Sequence, residues 1–251
     1  MTTPAPADIF QKSFTAALAQ QGSGQSQTDN RGMLEVHPGL PSIDYCALHY
    51  LNEYLRREEE WLTVMREGEK PRKLEVMQEF AGVYRIARNF PVEHEKSGPR
   101  FQKILDLLTH LEPRQFEGDV LLEQVLYYRD QISELYGGRN CLSATTKFLW
   151  LKLQSPIIIY DSQARLALGT KIDDLPAFYT EWRKAFSVYA DDIAVACEKL
   201  AAVRQYSVKP GRVTEEFIEK TASQRWFQER VFDMLLWNTG GQKVNSSVSE
   251  K

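Results

Sequence analysis

The chain lacks most of what marks a metal, disulfide or membrane protein. Its 251 residues include three cysteines, Cys46, Cys141 and Cys197, far apart and odd in number. That pattern excludes a disulfide framework and a zinc spacing, and points to a reducing compartment. The histidines His37, His49, His94 and His110 form no metal-ligand pattern. No run approaches the roughly 20 apolar residues that a membrane helix needs, so no membrane partner is expected. The N-terminus has neither the basic start nor the apolar segment of a signal peptide, and a cytoplasmic location is expected. P-loop, Rossmann glycine, GxSxG and HExxH motifs are all missing, and no Cys–His pair is close in sequence. No cofactor is expected, and nucleophilic hydrolase chemistry has no support. Nor is there an excess of positive charge: the formal net charge is −3, so a polyanion site would have to be a local basic patch.

What is present is helix. Hydrophobic content of 43% and charged content of 26% suit a globular chain with a sizeable core. Residues 1–32 are polar and read as a flexible N-terminal segment, and 242–251 as a disordered tail. Between them, 33–241 reads as a helical domain, either one body or two lobes around a cleft. Ser42 caps a run with apolar residues at threes and fours from Ile43 to Leu55. EKPRK breaks it, and LEVMQEFAGVYRIARNF forms a second helix ended by Pro91. RFQKILDLLTHL and DVLLEQVLYYRDQISELY follow, the latter stopped by Gly137 and Gly138. Asp173 or Asp174 opens a long helical region, Thr214 another, and RWFQERVFDMLLWNTGG closes the domain. Only 157–160 reads as extended, and four residues make no sheet. The fold class is all-α.

One tract concentrates the chemistry, GGRNCLSATTKFLWLKLQSPIIIYDSQARLAL (137–168). From Gly137 to Tyr160 it holds Arg139, Lys147 and Lys152 and no acid. Ser143 reads as an N-cap, Thr145 and Thr146 bring hydroxyls to the first turn, and Lys147 follows. A helix N-terminus with an adjacent lysine suits an anion. The bland alternative is a capping serine and a lysine that snorkels to water. Asp161 likewise has two readings. It is a competent N-cap for SQARLAL, and it is also a carboxylate that a helix N-terminus holds ionised beside apolar walls. A fixed negative charge there favours reactions that develop positive charge, such as cleavage of a sugar–base bond.

This tract resembles the helix-hairpin-helix DNA glycosylase superfamily, in particular the bacterial proteins with an 8-oxoguanine-glycosylase-like fold. YRIARNF (84–90) and RWFQERVFDMLLWNTG (225–240) are similar to recurring segments of the same proteins. The resemblance spans roughly residues 40–240. It implies a multi-helix fold with a catalytic aspartate at a helix N-terminus, and a monomer acting on double-stranded DNA without a cofactor. Some members of the bacterial group excise glucosylated hydroxymethylcytosine from phage DNA.

Position by position, Asp161 matches the catalytic aspartate. Lys147 matches the hairpin lysine, which forms a Schiff base with the sugar in bifunctional relatives. The hairpin departs from the family pattern: the Gly-x-Gly turn is absent before the lysine helix, and the lysine–aspartate spacing is shorter than in eukaryotic-type enzymes. Arg139, Asn140, Ser143, Thr145, Thr146 and Arg165 are the expected DNA-binding residues. Trp150, Tyr160 and Trp237, with Trp226, are available to wall a base pocket, although each also suits the core. Arg88 and Asn89, between a helix and Pro91, either face a cleft or cap the helix. The competing class is a helical module that binds DNA or protein without chemistry; a weaker one is a purely structural protein in which 143–169 is packing and caps.

Overall fold

Ser42 starts the fold as its sequence predicts. In the computed structural model, which describes residues 41–91 and 98–249 with side chains as far as 241, its hydroxyl accepts from the Tyr45 N–H at 3.1 Å. Helix α1 (Ile43–Glu53) passes through a π-helical turn at Tyr54–Glu58 directly into α2 (Glu59–Glu67). Gly68 then ends the rod. The sequence reading placed the break at EKPRK, but helix α3 (Lys70–Val83) already begins at Lys70. Proline is tolerated in a first helical turn because its missing N–H would have no partner there.

Helix α3 also stops earlier than Pro91. Arg85 adopts a left-handed conformation, and a 3-10 turn at Ala87–Asn89 follows. Helix α4 (Gln102–Leu108) is short, and α5 (Leu121–Leu135) ends at Gly137 and Gly138, both with positive φ. Helix α6 (Leu142–Leu153) is buried on nearly every side, and α7 (Ser162–Leu168) is capped by Asp161. Asp174 accepts from the Ala177 N–H and caps the long α8 (Leu175–Glu198). Thr214 caps α9 (Glu215–Phe217), which runs into a second π-helical turn at Ile218–Ala222. Helix α10 (Arg225–Ser249) continues through residues read from sequence as a tail, so their backbone is helical as far as Ser249. The segment 1–32 lies outside the described residues.

The chain is all-α: no strand occurs among the described residues. Helix α10 packs on α7, α1 and α8, while α6 packs on α5 and α2, and α3 packs on α2 and α4. Two groups of helices result, joined by the α1–α2 rod and by the crossing from α6 to α7. One apolar core, from Tyr50 and Phe80 to Phe186 and Phe232, runs through both. None of the described helices is long and apolar enough to cross a membrane.

The crossing segment Ile157–Tyr160 is buried and belongs to no helix or strand, so no ladder satisfies its backbone. Side chains do this instead. The Tyr179 hydroxyl accepts from the Ile158 N–H at 3.0 Å and donates to the Ile158 carbonyl at 3.1 Å. The Thr146 hydroxyl accepts from the Tyr160 N–H at 3.0 Å. Asp161 is thereby delivered to the start of α7 on a fixed backbone.

Candidate functional site

Asp161 uses both of its oxygens. Oδ1 accepts from the Gln163 N–H at 2.9 Å, which makes it the N-cap of α7. Oδ2 lies 3.0 Å from the Lys147 ammonium. The Lys147 side chain is 6% exposed and that of Asp161 25%, so the carboxylate is the open end of the pair. A carboxylate has about four acceptor positions, and two remain for a ligand or water. The pair joins α6 to α7, and therefore one helical group to the other.

Gly240 sets how closely α10 approaches this helix. A Cβ there would lie 2.0 Å from the Gln163 carbonyl oxygen, so the close crossing of α10 over the first turn of α7 requires glycine.

Behind the pair lies a buried polar network that the sequence reading missed. The Lys147 ammonium stands 5.9 Å from the centre of the Tyr84 ring. The Tyr84 hydroxyl donates to Glu58 and accepts from Arg230 Nη2 at 2.8 Å. Tyr50 donates to the other oxygen of Glu58 at 2.8 Å. Arg230 Nη1 bonds Asp233 at 2.9 Å, and the Trp182 indole N–H donates to Asp233 at 3.0 Å. Burial pushes the Tyr84 phenol well above its usual range. It also raises the Asp233 carboxyl, against the lowering influence of Arg230, while the nearby Asp161 charge adds to the rise. Glu58 reaches this network from the π-helical turn, whose extra residue re-aims the side chain. The available signal was the Arg230–Asp233 spacing of three within an otherwise apolar helical stretch.

The expected site residues divide. Asp161 and Lys147 meet. Arg139 and Asn140 are exposed in the turn before α6. Asn140 is engaged internally: its Oδ1 accepts from the Leu142 N–H at 3.2 Å, and its Nδ2 donates to Asp173 at 2.6 Å. It takes over the role expected of Ser143, which lies inside α6 and is only partly exposed. Thr145 and Thr146 are fully buried, and the Thr146 hydroxyl serves the Tyr160 and Ser143 backbones, so neither can hold a phosphate. Arg165 is partly buried and donates to the Thr170 carbonyl at 2.8 Å.

Among the pocket residues, Trp150 is closed off at 2% exposure, with the Arg230 guanidinium 5.0 Å from its ring. Tyr160 is also buried and accepts from the Asp173 N–H at 2.9 Å. Both are core residues rather than open pocket walls. Trp226 packs against Tyr54 with ring centres 5.6 Å apart. Trp237 is different: it is 53% exposed. It lies about one helical turn from both Asp233 and Gly240 along α10, and Gly240 is where α10 crosses Gln163. Arg88 is exposed and Asn89 partly so, in the 3-10 turn after α3.

No group of three His, Cys, Asp or Glu side chains able to hold a metal occurs among the described residues. Burial drives the Cys46 and Cys197 thiols up to about 12 and raises Cys141 as well, which leaves none poised as a nucleophile. A shallow groove of about 350 Å³ beside Lys70, Leu74 and Gln102 lies at the opposite end of α3 from Tyr84 and is separate from this site. Family models, curated protein sequences and solved structures all yield no match to the chain.

Proposed function

We propose that the chain is a DNA N-glycosylase of the helix-hairpin-helix kind. The observation that carries the reading is the contact between Lys147 and Asp161: a buried ammonium held at 3.0 Å from a half-open carboxylate that caps a helix. The two residues are those that the resemblance to the glycosylases assigns to catalysis. A nucleotide rotated out of the duplex would bring its sugar to Asp161. As the C1′–N bond breaks, its electron pair leaves with the base and the sugar becomes oxocarbenium-like. The negative charge at Asp161, held in place by the Gln163 N–H and the Lys147 ammonium, stabilises that cation without reorganising. Water adds to C1′ and gives up its proton, leaving a free base and an abasic site. Trp237, half exposed and about one helical turn from Gly240, is the aromatic side chain we assign to stacking on the base.

Lys147 has two chemical roles open to it: attack on C1′ as an amine, or service as the counter-ion that orients Asp161. Borohydride trapping on a substrate duplex separates them, because only the first leaves a covalent adduct. The substrate range to screen includes oxidised bases and the glucosylated cytosines of phage DNA.

A second reading is favoured by a specific observation: both oxygens of Asp161 already have partners within the chain. On that reading the pair is a structural tie in a module that binds DNA or protein without chemistry. Base release from a panel of modified duplexes decides between them.

A further inference from the structure

Among the described residues, four that are not glycine have positive φ: Arg85, Phe101, Gln154 and Asp173. The left-handed region crowds Cβ against the backbone, so each such residue needs a compensating reason. Three have one. Phe101 is fully buried and packs edge-on against Phe90. The Gln154 amide donates to the Trp150 and Leu151 carbonyls at the end of α6. Asp173 accepts from Asn140. Arg85 has none: its side chain is exposed and makes no hydrogen bond or ion pair with another described residue.

The position makes the choice of arginine costly. Arg85 closes α3 with the paired bonds of a left-handed helix end: its N–H donates to the Gly82 carbonyl at 3.1 Å, and the Ile86 N–H to Ala81 at 2.9 Å. Glycine is the usual residue for this task. The same fold uses Gly137 after α5 and Gly169 after α7, both with positive φ. Among the described residues, no hydrogen bond or ion pair offsets the cost of an arginine there.

Its neighbourhood supplies the missing reason. Arg85 directly follows Tyr84, whose ring faces Lys147 and whose hydroxyl holds Arg230. Arg88, also exposed and without an ion-pair partner among the described residues, stands three positions on. From Phe80 to Pro91 the chain contains no acid. We infer that Arg85 is a ligand-contacting residue whose guanidinium grips a phosphodiester of the DNA strand bound over the Lys147–Asp161 site, at the expense of helix-end stability. This inference rests on the glycosylase reading for the identity of the anion. Guanidinium fits such a group well, because its planar N–H fork matches two phosphate oxygens.

The test pairs stability with binding, using Arg85→Gly and Arg85→Lys in the full chain and a fluorescein-labelled duplex as probe. Arg85→Gly relieves the strain, and its melting temperature rises by about 2–4 °C. Its affinity for the duplex falls about tenfold at low salt, and the slope of log K against log salt shrinks by about 0.9, the loss of one phosphate contact. Arg85→Lys keeps the wild-type slope. Unchanged affinity and slope in Arg85→Gly, with wild-type protein binding the duplex, would overturn the inference and leave the glycosylase reading standing. A melting temperature lowered by Arg85→Gly would also overturn it, since the arginine would then serve the fold. Wild-type protein that binds no duplex overturns both.

Discussion

Lys147 and Asp161 meet at 3.0 Å across the junction of two helical groups, but they are not equally buried: the lysine side chain is 6% exposed and the aspartate 25%. The asymmetry predicts unequal costs of mutation. Asp161→Asn keeps the helix cap but strands a buried ammonium, which costs about 2–4 kcal/mol. Lys147→Met fills a similar volume and leaves a partly hydrated, capped carboxylate, at about 1 kcal/mol. The double variant, with no charge to strand, recovers most of the difference. Urea unfolding of the three proteins measures this. A larger loss in Lys147→Met than in Asp161→Asn contradicts the burial asymmetry.

Gly240 gives a second, purely steric prediction. A methyl group there meets the Gln163 carbonyl oxygen at 2.0 Å, whereas Gly241 has nothing within 4 Å. Backbone cannot move aside as a side chain does, so Gly240→Ala destabilises by about 1–3 kcal/mol or more. Gly241→Ala, in the same helix, is neutral or slightly stabilising because alanine favours helix. Thermal denaturation of the two variants checks the contrast, and equal behaviour would refute the close crossing of α10 over α7.

Arg230 carries a pH-dependent prediction. It is the buried cation between Glu58 and Asp233, and its removal leaves both carboxylates without it. Arg230→Met therefore costs about 3–5 kcal/mol at neutral pH. The Asp233 carboxyl is already raised by burial, with Arg230 as the main opposing influence, so the variant raises it further. A carboxyl whose folded value lies above its unfolded one favours the protonated native state. Stability is then lost as pH rises through the folded value and regained on acidification. The deficit of Arg230→Met relative to wild type therefore shrinks from neutral to mildly acidic pH. Urea titrations under the two conditions read it directly, and a deficit that grows in acid would show the sign to be wrong.

The sequence announced the helices where a single side chain does the local work. Ser42, Asp161, Asp174 and Thr214 each cap the helix that follows, and Gly137 and Gly138 end α5, because capping is decided within three or four residues. The start of α6 misled because Asn140, rather than Ser143, holds the first N–H, an arrangement that also depends on Asp173 far along the chain. Thr145 and Thr146 read as a hydroxyl-bearing first turn, but one residue of register and the buried Tyr160 backbone turned them inward. Glu58 lies in the charged run RREEE (56–60), which by itself gives no sign that one of its acids is buried. Only the π-helical turn and Arg230, distant in sequence, bring it inside. Lys147 and Asp161 were each legible as candidates, but no period in the residues showed that the two side chains touch.

The most direct test is single-turnover base release from duplexes carrying oxidised or phage-modified bases, with wild-type protein and Asp161→Asn compared at equal helical content. Wild-type protein releases a base from at least one of them, and Asp161→Asn still binds that duplex but releases the base about 100- to 1,000-fold more slowly. Release by Asp161→Asn at the wild-type rate, or no release by the wild type from any duplex, would contradict the account.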